Sequence, residues 1–372
     1  MRTPSNAAFR AADVSLRAIL RPDLDDLEEY VPVKPLDVLA AEIGVPVDRL
    51  VKLDANENLY GPRPAVREAA ARADFHIYPD PGQTRLRAAI ARYAGVDPAQ
   101  VVAGSGADDL IDVIIRLVAP PAVVVPTPTF GMYRFLAKIM RARPVEIPRR
   151  PNFDLDVAAI RRAVAQHAAR IIFLTHPNNP TGNPLNRAEL GALLDLPVLV
   201  VVDEAYIEFG GETVVPLIDR HENLVVLRTF SKWAGLAGLR VGYSISSAEL
   251  AERMMALKQP YNVNVAAEAA AIAAIEHRAE VAEDIAALVA ERDRMTRLVA
   301  ALGWLEPYPS VANFVLFAVR GRPASEVADA LRRRGILVRH YDRPDLQNCI
   351  RISAGRPADT DALVAALKEL QP

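Results

Sequence analysis

The chain has 372 residues, a formal net charge of -2 and 51% hydrophobic residues, which is enough apolar material for a sizeable core and enough length for two domains, one large and one small. The near-balance of charge argues against the basic footprint of a nucleic-acid or anionic-membrane binder, and no apolar run has the length of a membrane span. The single cysteine, Cys349, permits no internal disulfide and reads as a buried strand residue in a cytoplasmic protein, and the N-terminus lacks the apolar stretch of a signal peptide.

Residues 1–50 are polar and Pro-punctuated around Tyr30 to Pro35, which predicts an N-terminal arm and a short helix. From about 100 to 245, short apolar runs alternate with helical stretches. Strands are expected at Val101–Ala103, Ala122–Val125, Ile171–Thr175, Val198–Val202, Leu224–Leu227 and Val241–Ser244, with helices at Asp108–Leu117, Gly131–Met140, Leu155–His167 and Arg187–Leu194. The strand runs are continuously apolar, as strands buried on both faces of a parallel sheet should be, so the expected class is α/β with a mostly parallel central sheet. Residues 265–301 contain no Pro or Gly and read as one long helix. A strand Asn313–Val319, helix Ala324–Arg333, strands Ile336–Arg339 and Ile350–Ser353 and a last helix Asp359–Leu370 predict a small α+β domain. The expected division is 1–49 as arm and part of the small domain, 50–275 as the large domain, and 276–372 as the small C-terminal domain.

Chemistry-bearing residues follow the predicted strands, where α/β sheets place their ligands. Gly104-Ser-Gly106-Ala107-Asp108 opens a helix and offers backbone amides to an anion; a dinucleotide fingerprint is excluded because its third glycine would fall at Asp109. Phe130 follows a Pro-Thr-Pro-Thr turn and could stack on a ring, although alone it reads as core. Asn179 lies in the turn Asn178-Asn179-Pro180-Thr181-Gly182. Asp203, in Val-Asp203-Glu-Ala-Tyr206, reads alone as a capping residue or a metal ligand, but the glycine-rich loop a nucleotide-bound metal would need is missing, and no metal is expected. Lys232, one of only six lysines, follows Thr229 and Ser231, and Arg240 lies eight residues on. Together these residues meet the demands of pyridoxal phosphate: a lysine for a Schiff base, a carboxylate for the pyridine nitrogen, donors for the ring hydroxyl, an aromatic ring face and an anion site.

Asn179-Pro-Thr-Gly182, Asp203-x-x-Tyr206, Ser231-Lys232 and Arg240, in this order, resemble the class I/II aminotransferases of pyridoxal-phosphate fold type I over essentially the whole chain. Asp54-Ala-Asn-Glu-Asn58 with Tyr60, Tyr78-Pro-Asp-Pro, Ala237-Gly-Leu-Arg240 and Pro260-Tyr-Asn-Val-Asn264 resemble their histidinol-phosphate subgroup. The resemblance implies cofactor contacts from Gly106, Ala107, Asp108, Phe130, Asn179, Asp203, Tyr206, Thr229, Ser231, Lys232 and Arg240, with Lys232, Asp203 and Tyr206 catalytic. It implies a homodimer in which Tyr78 reaches the phosphate of the neighbouring subunit's cofactor and Tyr30 its substrate. Arg351 would take a carboxylate, and Arg339 would add the second cation a phosphate monoester needs. The implied reaction is ping-pong transamination of imidazole-acetol phosphate with L-glutamate to L-histidinol phosphate and 2-oxoglutarate, in histidine biosynthesis. Aromatic-amino-acid transamination and decarboxylation of a phosphorylated amino acid are the rivals. A non-catalytic regulator is disfavoured, since residues 1–50 are too short and too weakly basic for an appended DNA-binding domain. Two departures stand out: Phe130 where the subgroup often has Tyr, and bulky Trp233 directly after Lys232.

Overall fold

The computed structural model describes residues 16–24, 27 and 34–371, in two compact units, 1–31 and 32–372. In the first, a single helical turn Leu16–Ile19 precedes a tighter turn Pro22–Leu24. Tyr30 lies outside the described residues.

Among the described residues of the second unit, thirteen strands form three sheets. They are β1 (Val51–Lys52), β2 (Val101–Gly104), β3 (Ala122–Thr127), β4 (Arg143–Pro148), β5 (Ile171–Thr175), β6 (Leu199–Asp203), β7 (Leu224–Thr229), β8 (Gly242–Ile245), β9 (Leu305–Pro307), β10 (Phe314–Val319), β11 (Ile336–Leu337), β12 (Arg339–His340) and β13 (Cys349–Ser353). The principal sheet has seven strands in the order β2-β8-β7-β6-β5-β3-β4, parallel except for β8, which is antiparallel to both neighbours. The alternation of side chains along a strand sends Val200 and Val202 into one apolar core and Val201 into another on the opposite face. That double burial is why the strands read as unbroken apolar runs.

Three expectations need correction. The sheet has an additional edge strand, β4, in which Arg143, Glu146 and Pro148 are exposed. The stretch 265–301 is two helices, Val265–Glu276 and Arg278–Ala300, broken at His277. The first packs its alanines on the helices Pro64–Ala71 and Thr84–Ala94, the second against Pro357–Glu369, so the break serves two separate packing partners. The expected strand Ile336–Arg339 is also divided: β11 pairs with β1, and β12 pairs antiparallel with β13. The four-stranded sheet β12-β13-β10-β9 packs with the helices Ala324–Arg333 and Pro357–Glu369 around a core of its own. Cys349 of β13 is buried in a separate small cluster with Phe153, Leu316 and Leu346.

Gly242 of β8 makes the closest approach that positions the later site. A β-carbon there would stand 2.8 Å from the Ala107 amide nitrogen and 2.9 Å from the Arg228 carbonyl, both rigid backbone. Gly242→Ala should therefore cost about 1–3 kcal/mol through overpacking. A thermal melt lower by several degrees is expected, and an unchanged melt would show that the 106–107 backbone yields freely.

Candidate active site

β5, β6 and β7 run in parallel register, Thr175 opposite Asp203 and Asp203 opposite Leu227. The segments leaving their carboxyl ends therefore open at one level. A cavity of about 540 Å³ lies there, lined by Thr175, Asn179, Asp203, Tyr206, Thr229, Ser231 and Lys232, with Ala107, Asp108, Phe130 and Arg240 at its other side. The structure thus brings together nearly every residue the sequence nominated for cofactor contact.

Lys232 Nζ donates to the Ala55 carbonyl at 3.0 Å and lies 5.9 Å from the centre of the Tyr206 ring. Burial and then the nearby Arg351 guanidinium push its ammonium down to about 8, so the reactive free amine is accessible near neutrality. Asp203 is buried, and burial raises its carboxyl to about 6. Its Oδ2 accepts from the Tyr133 hydroxyl at 2.7 Å and its Oδ1 from the Ala205 amide at 3.0 Å. Tyr133, which the sequence reading missed, is itself buried between Phe173, stacked at 5.0 Å, and the edge of Phe130 at 5.6 Å. The Tyr206 hydroxyl accepts from Asn56 Nδ2 at 3.0 Å and Asn179 Nδ2 at 3.4 Å, and burial pushes its phenol up to about 12. Asn56, also missed, is held at positive φ by Ser353 and Asn313, contacts across 297 and 257 residues that no local pattern could signal.

The far end of the cavity is built for an anion. Gly106, at φ +83°, precedes the helix Ala107–Val118, whose first amides have no intrahelical acceptor. A β-carbon at Gly106 would meet Arg240 Nη2 at 2.5 Å. Arg240 is paired with Asp108 at 3.1 Å, so part of its charge is already met. Thr229 Oγ1 donates to Ser231 Oγ at 2.9 Å, and both hydroxyls line the cavity.

Arg351 joins the site through Asn179, donating from Nη1 to Asn179 Oδ1 at 2.6 Å and from Nη2 to the Asp54 carbonyl. Arg339 faces it across the β12–β13 pair. Tyr78 does not line the cavity: it is 79% exposed with its ring stacked on Tyr261. Tyr30 lies outside the described residues. Trp233 is turned away from the cavity. It is 1% exposed and stacks on Tyr93 at 5.5 Å and against Phe230 at 5.4 Å, so its bulk fills core beneath Lys232 rather than cofactor space.

Residues 48–367 match the family model described as "Aminotransferase class I and II". Over 367 residues the chain is 48% identical to a histidinol-phosphate aminotransferase of Roseiflexus castenholzii, covering 96% of this chain and 99% of that protein. It is 46% identical over 356 residues to the chloroplastic histidinol-phosphate aminotransferase of Nicotiana plumbaginifolia, covering 94% and 86%. The crystal structure of histidinol-phosphate aminotransferase from Sinorhizobium meliloti in complex with pyridoxal-5'-phosphate superposes with a TM-score of 0.84 at 31% identity, covering 91% of this chain and 95% of that one. The chain belongs to the class I and II aminotransferases, with the fold of the fold-type-I pyridoxal-phosphate enzymes. It is a pyridoxal-phosphate-dependent aminotransferase similar along nearly its whole length to those that act on histidinol phosphate. The donor set fits that cofactor: an amine of lowered proton affinity, a buried carboxylate, a phenol with an amide, a ring face and an anion cradle open on one cavity.

In the cofactor-free protein, acetylation of Lys232 should rise with pH through a midpoint of about 8, where an ordinary lysine, of pKa about 10.4, is still almost wholly protonated. Mass-spectrometric rates across pH 6–11 (about that window, set by these values) check this; a midpoint at the ordinary value would remove the claim that burial activates the amine.

Proposed function

We propose that the chain catalyses ping-pong transamination of imidazole-acetol phosphate with L-glutamate, giving L-histidinol phosphate and 2-oxoglutarate, the amination step of histidine biosynthesis. The observation that carries this reading is the bond from Arg351 to Asn179, a residue of the Lys232 cavity wall, with Arg339 opposite Arg351 in cross-strand register. It is supported by the 48% and 46% identity to histidinol-phosphate aminotransferases.

Pyridoxal phosphate supplies, when bound, an electron sink for charge developing on the substrate's α-carbon. Lys232 Nζ would hold the cofactor, and as a free amine of lowered proton affinity it would take up the substrate's α-proton as base and give it up again as acid. Asp203 would meet the protonated ring nitrogen, and its carboxyl, raised by burial, would be favoured as the carboxylate beside that cation. Asn179 and Tyr206 direct donors at the ring oxygen, and Phe130 covers a ring face. Amides of Gly106, Ala107 and Asp108, hydroxyls of Thr229 and Ser231, and Arg240 hold the phosphate. At the substrate end, Arg351 takes the carboxylate of glutamate. With Arg339 it takes the phosphate of the alternate substrate, whose charge at pH 7 is about -1.5 to -2.

We further propose a cytoplasmic homodimer, with residues 50–275 as the cofactor domain and 276–372 as the smaller one, preceded by the arm of 1–49. Phe75, Ile77, Tyr78 and Tyr261 are 70%, 58%, 79% and 50% exposed, an apolar group that a second copy would cover. In that pairing Tyr78 would serve the partner's cofactor phosphate and Tyr30 its substrate.

The pyridoxal form, titrated separately with L-histidinol phosphate and L-phenylalanine, should convert to the pyridoxamine form rapidly with the first and far more weakly with the second. Preference for phenylalanine would move the assignment to aromatic transamination and leave Lys232 in place. Arg339→Ala should weaken histidinol phosphate about thirty-fold, the worth of a charge-assisted contact near 2 kcal/mol, and glutamate much less. Equal loss for both would remove Arg339 from phosphate binding.

A further inference from the structure

Two cations at the substrate end are brought together without a counter-charge. Arg339 and Arg351 are directly opposed on β12 and β13, which places their Cα atoms about 4.5–5.5 Å apart and their side chains on the same face. Among the described residues neither is in an ion pair. Arg351 is 5% exposed, yet its donors meet only the Asn179 amide oxygen and a backbone carbonyl, and its Nε has no partner. Like charges on one face of a strand pair repel, and no carboxylate is paired with either among the described residues. The ring of Tyr341, the second residue after Arg339 in the chain, is the group both share: the Arg339 guanidinium carbon lies 5.8 Å from its centre and that of Arg351 5.9 Å. Arg351 has a second ring, Phe314, at 5.3 Å; Arg339 has Tyr341 alone among the described aromatic rings within cation–π range.

We propose that Tyr341 is a positioning residue that sets the preference of this site for a phosphate monoester over a carboxylate. The proposal rests on the substrate reading above. The electron-rich ring face attracts both guanidiniums while adding no net charge, so the pair is held together with its positive potential intact. A carboxylate in the same place would hold the arginines equally well and neutralise them. The two substrates use the pair differently. A carboxylate is satisfied by one guanidinium fork, and Arg351 keeps that role through Asn179, Asp54 and Phe314. A phosphate dianion needs both forks, and among the described side chains Tyr341 is the one whose ring lies within cation–π range of both Arg339 and Arg351. Loss of the ring therefore falls on the phosphate substrate.

The test uses the holoenzyme with Tyr341→Leu, which keeps apolar bulk against the small cluster of Phe153, Leu316, Leu346 and Cys349, and Tyr341→Phe, which keeps the ring. In the half-reaction, the Leu variant should need roughly tenfold more L-histidinol phosphate for half-maximal rate, within the five- to thirty-fold span of a partly desolvated cation–π contact. Its maximal rate and its response to L-glutamate should stay within about twofold, and the Phe variant, which keeps the ring, should keep the parent's ratio between the two substrates. A Phe variant as impaired as Leu, or a Leu variant that loses glutamate and phosphate substrate alike, overturns the proposal. Should the parent enzyme itself fail to turn over histidinol phosphate, the substrate reading fails. Tyr341 is then judged by inorganic phosphate as inhibitor of the glutamate half-reaction: weaker inhibition by roughly tenfold in Leu but not Phe sustains it, and unchanged inhibition sinks it.

Discussion

The site depends on one buried carboxylate. Asp203 ends β6 in the middle of the sheet, out of contact with water, where an ionised group is expensive unless something meets its charge. The protein supplies only neutral donors, the Tyr133 hydroxyl and the Ala205 amide, so the charge is left to be met by a ligand. The next residue shows the opposite solution. Strand alternation turns Glu204 to the other side, where it is wholly buried but takes Arg228 at 2.9 Å, the Thr213 hydroxyl at 2.8 Å and the Val214 amide at 2.6 Å. One carboxylate is satisfied within the fold and its neighbour is kept waiting, and the cavity lies on the side of the one that waits.

The same strand ends explain what was legible in the sequence. Continuous runs rich in valine, isoleucine and leucine signalled β3, β5, β6 and β7, and a shorter one β2, because a strand buried on both faces has no reason to alternate. Residues immediately past such runs, Asn179, Asp203 and Lys232, were legible as site residues, since leaving a parallel strand at its carboxyl end places a side chain at the switch of the sheet. β4 was not legible: it is an edge strand with Pro144 and Pro148, half solvated, and its pattern resembles a loop. The break at His277 was invisible because neither Pro nor Gly marks it; only the divergence of two packing partners does. Tyr133 and Asn56 escaped for a related reason. Their roles come from Asp203 and Tyr206, 70 and 150 residues away, and a tyrosine inside an amphipathic helix carries no local mark of such a contact. Trp233 misled in the other direction. Adjacent to Lys232 in sequence, it points into the core, because consecutive residues leaving a strand need not share a face.

Four arginines near the site can be ordered by how much of their charge the protein has already met. Arg228 is closed off by Glu204 and Thr213 and is structural. Arg240, paired with Asp108 but still 46% exposed, keeps donors for an anion at the end of the cavity. Arg351 is buried against oxygens that carry no full charge, and Arg339, half-buried, lies near a ring. In a chain whose net charge is only -2, the positive potential that selects an anionic substrate cannot come from composition. It comes from this withholding of carboxylates from two adjacent arginines, just as the demand for a cationic ring comes from withholding a cation from Asp203. Both ends of the site are left electrostatically incomplete by the fold, with opposite sign, and on the proposed reading a cofactor with a basic ring nitrogen and a substrate with a strong anion would complete them.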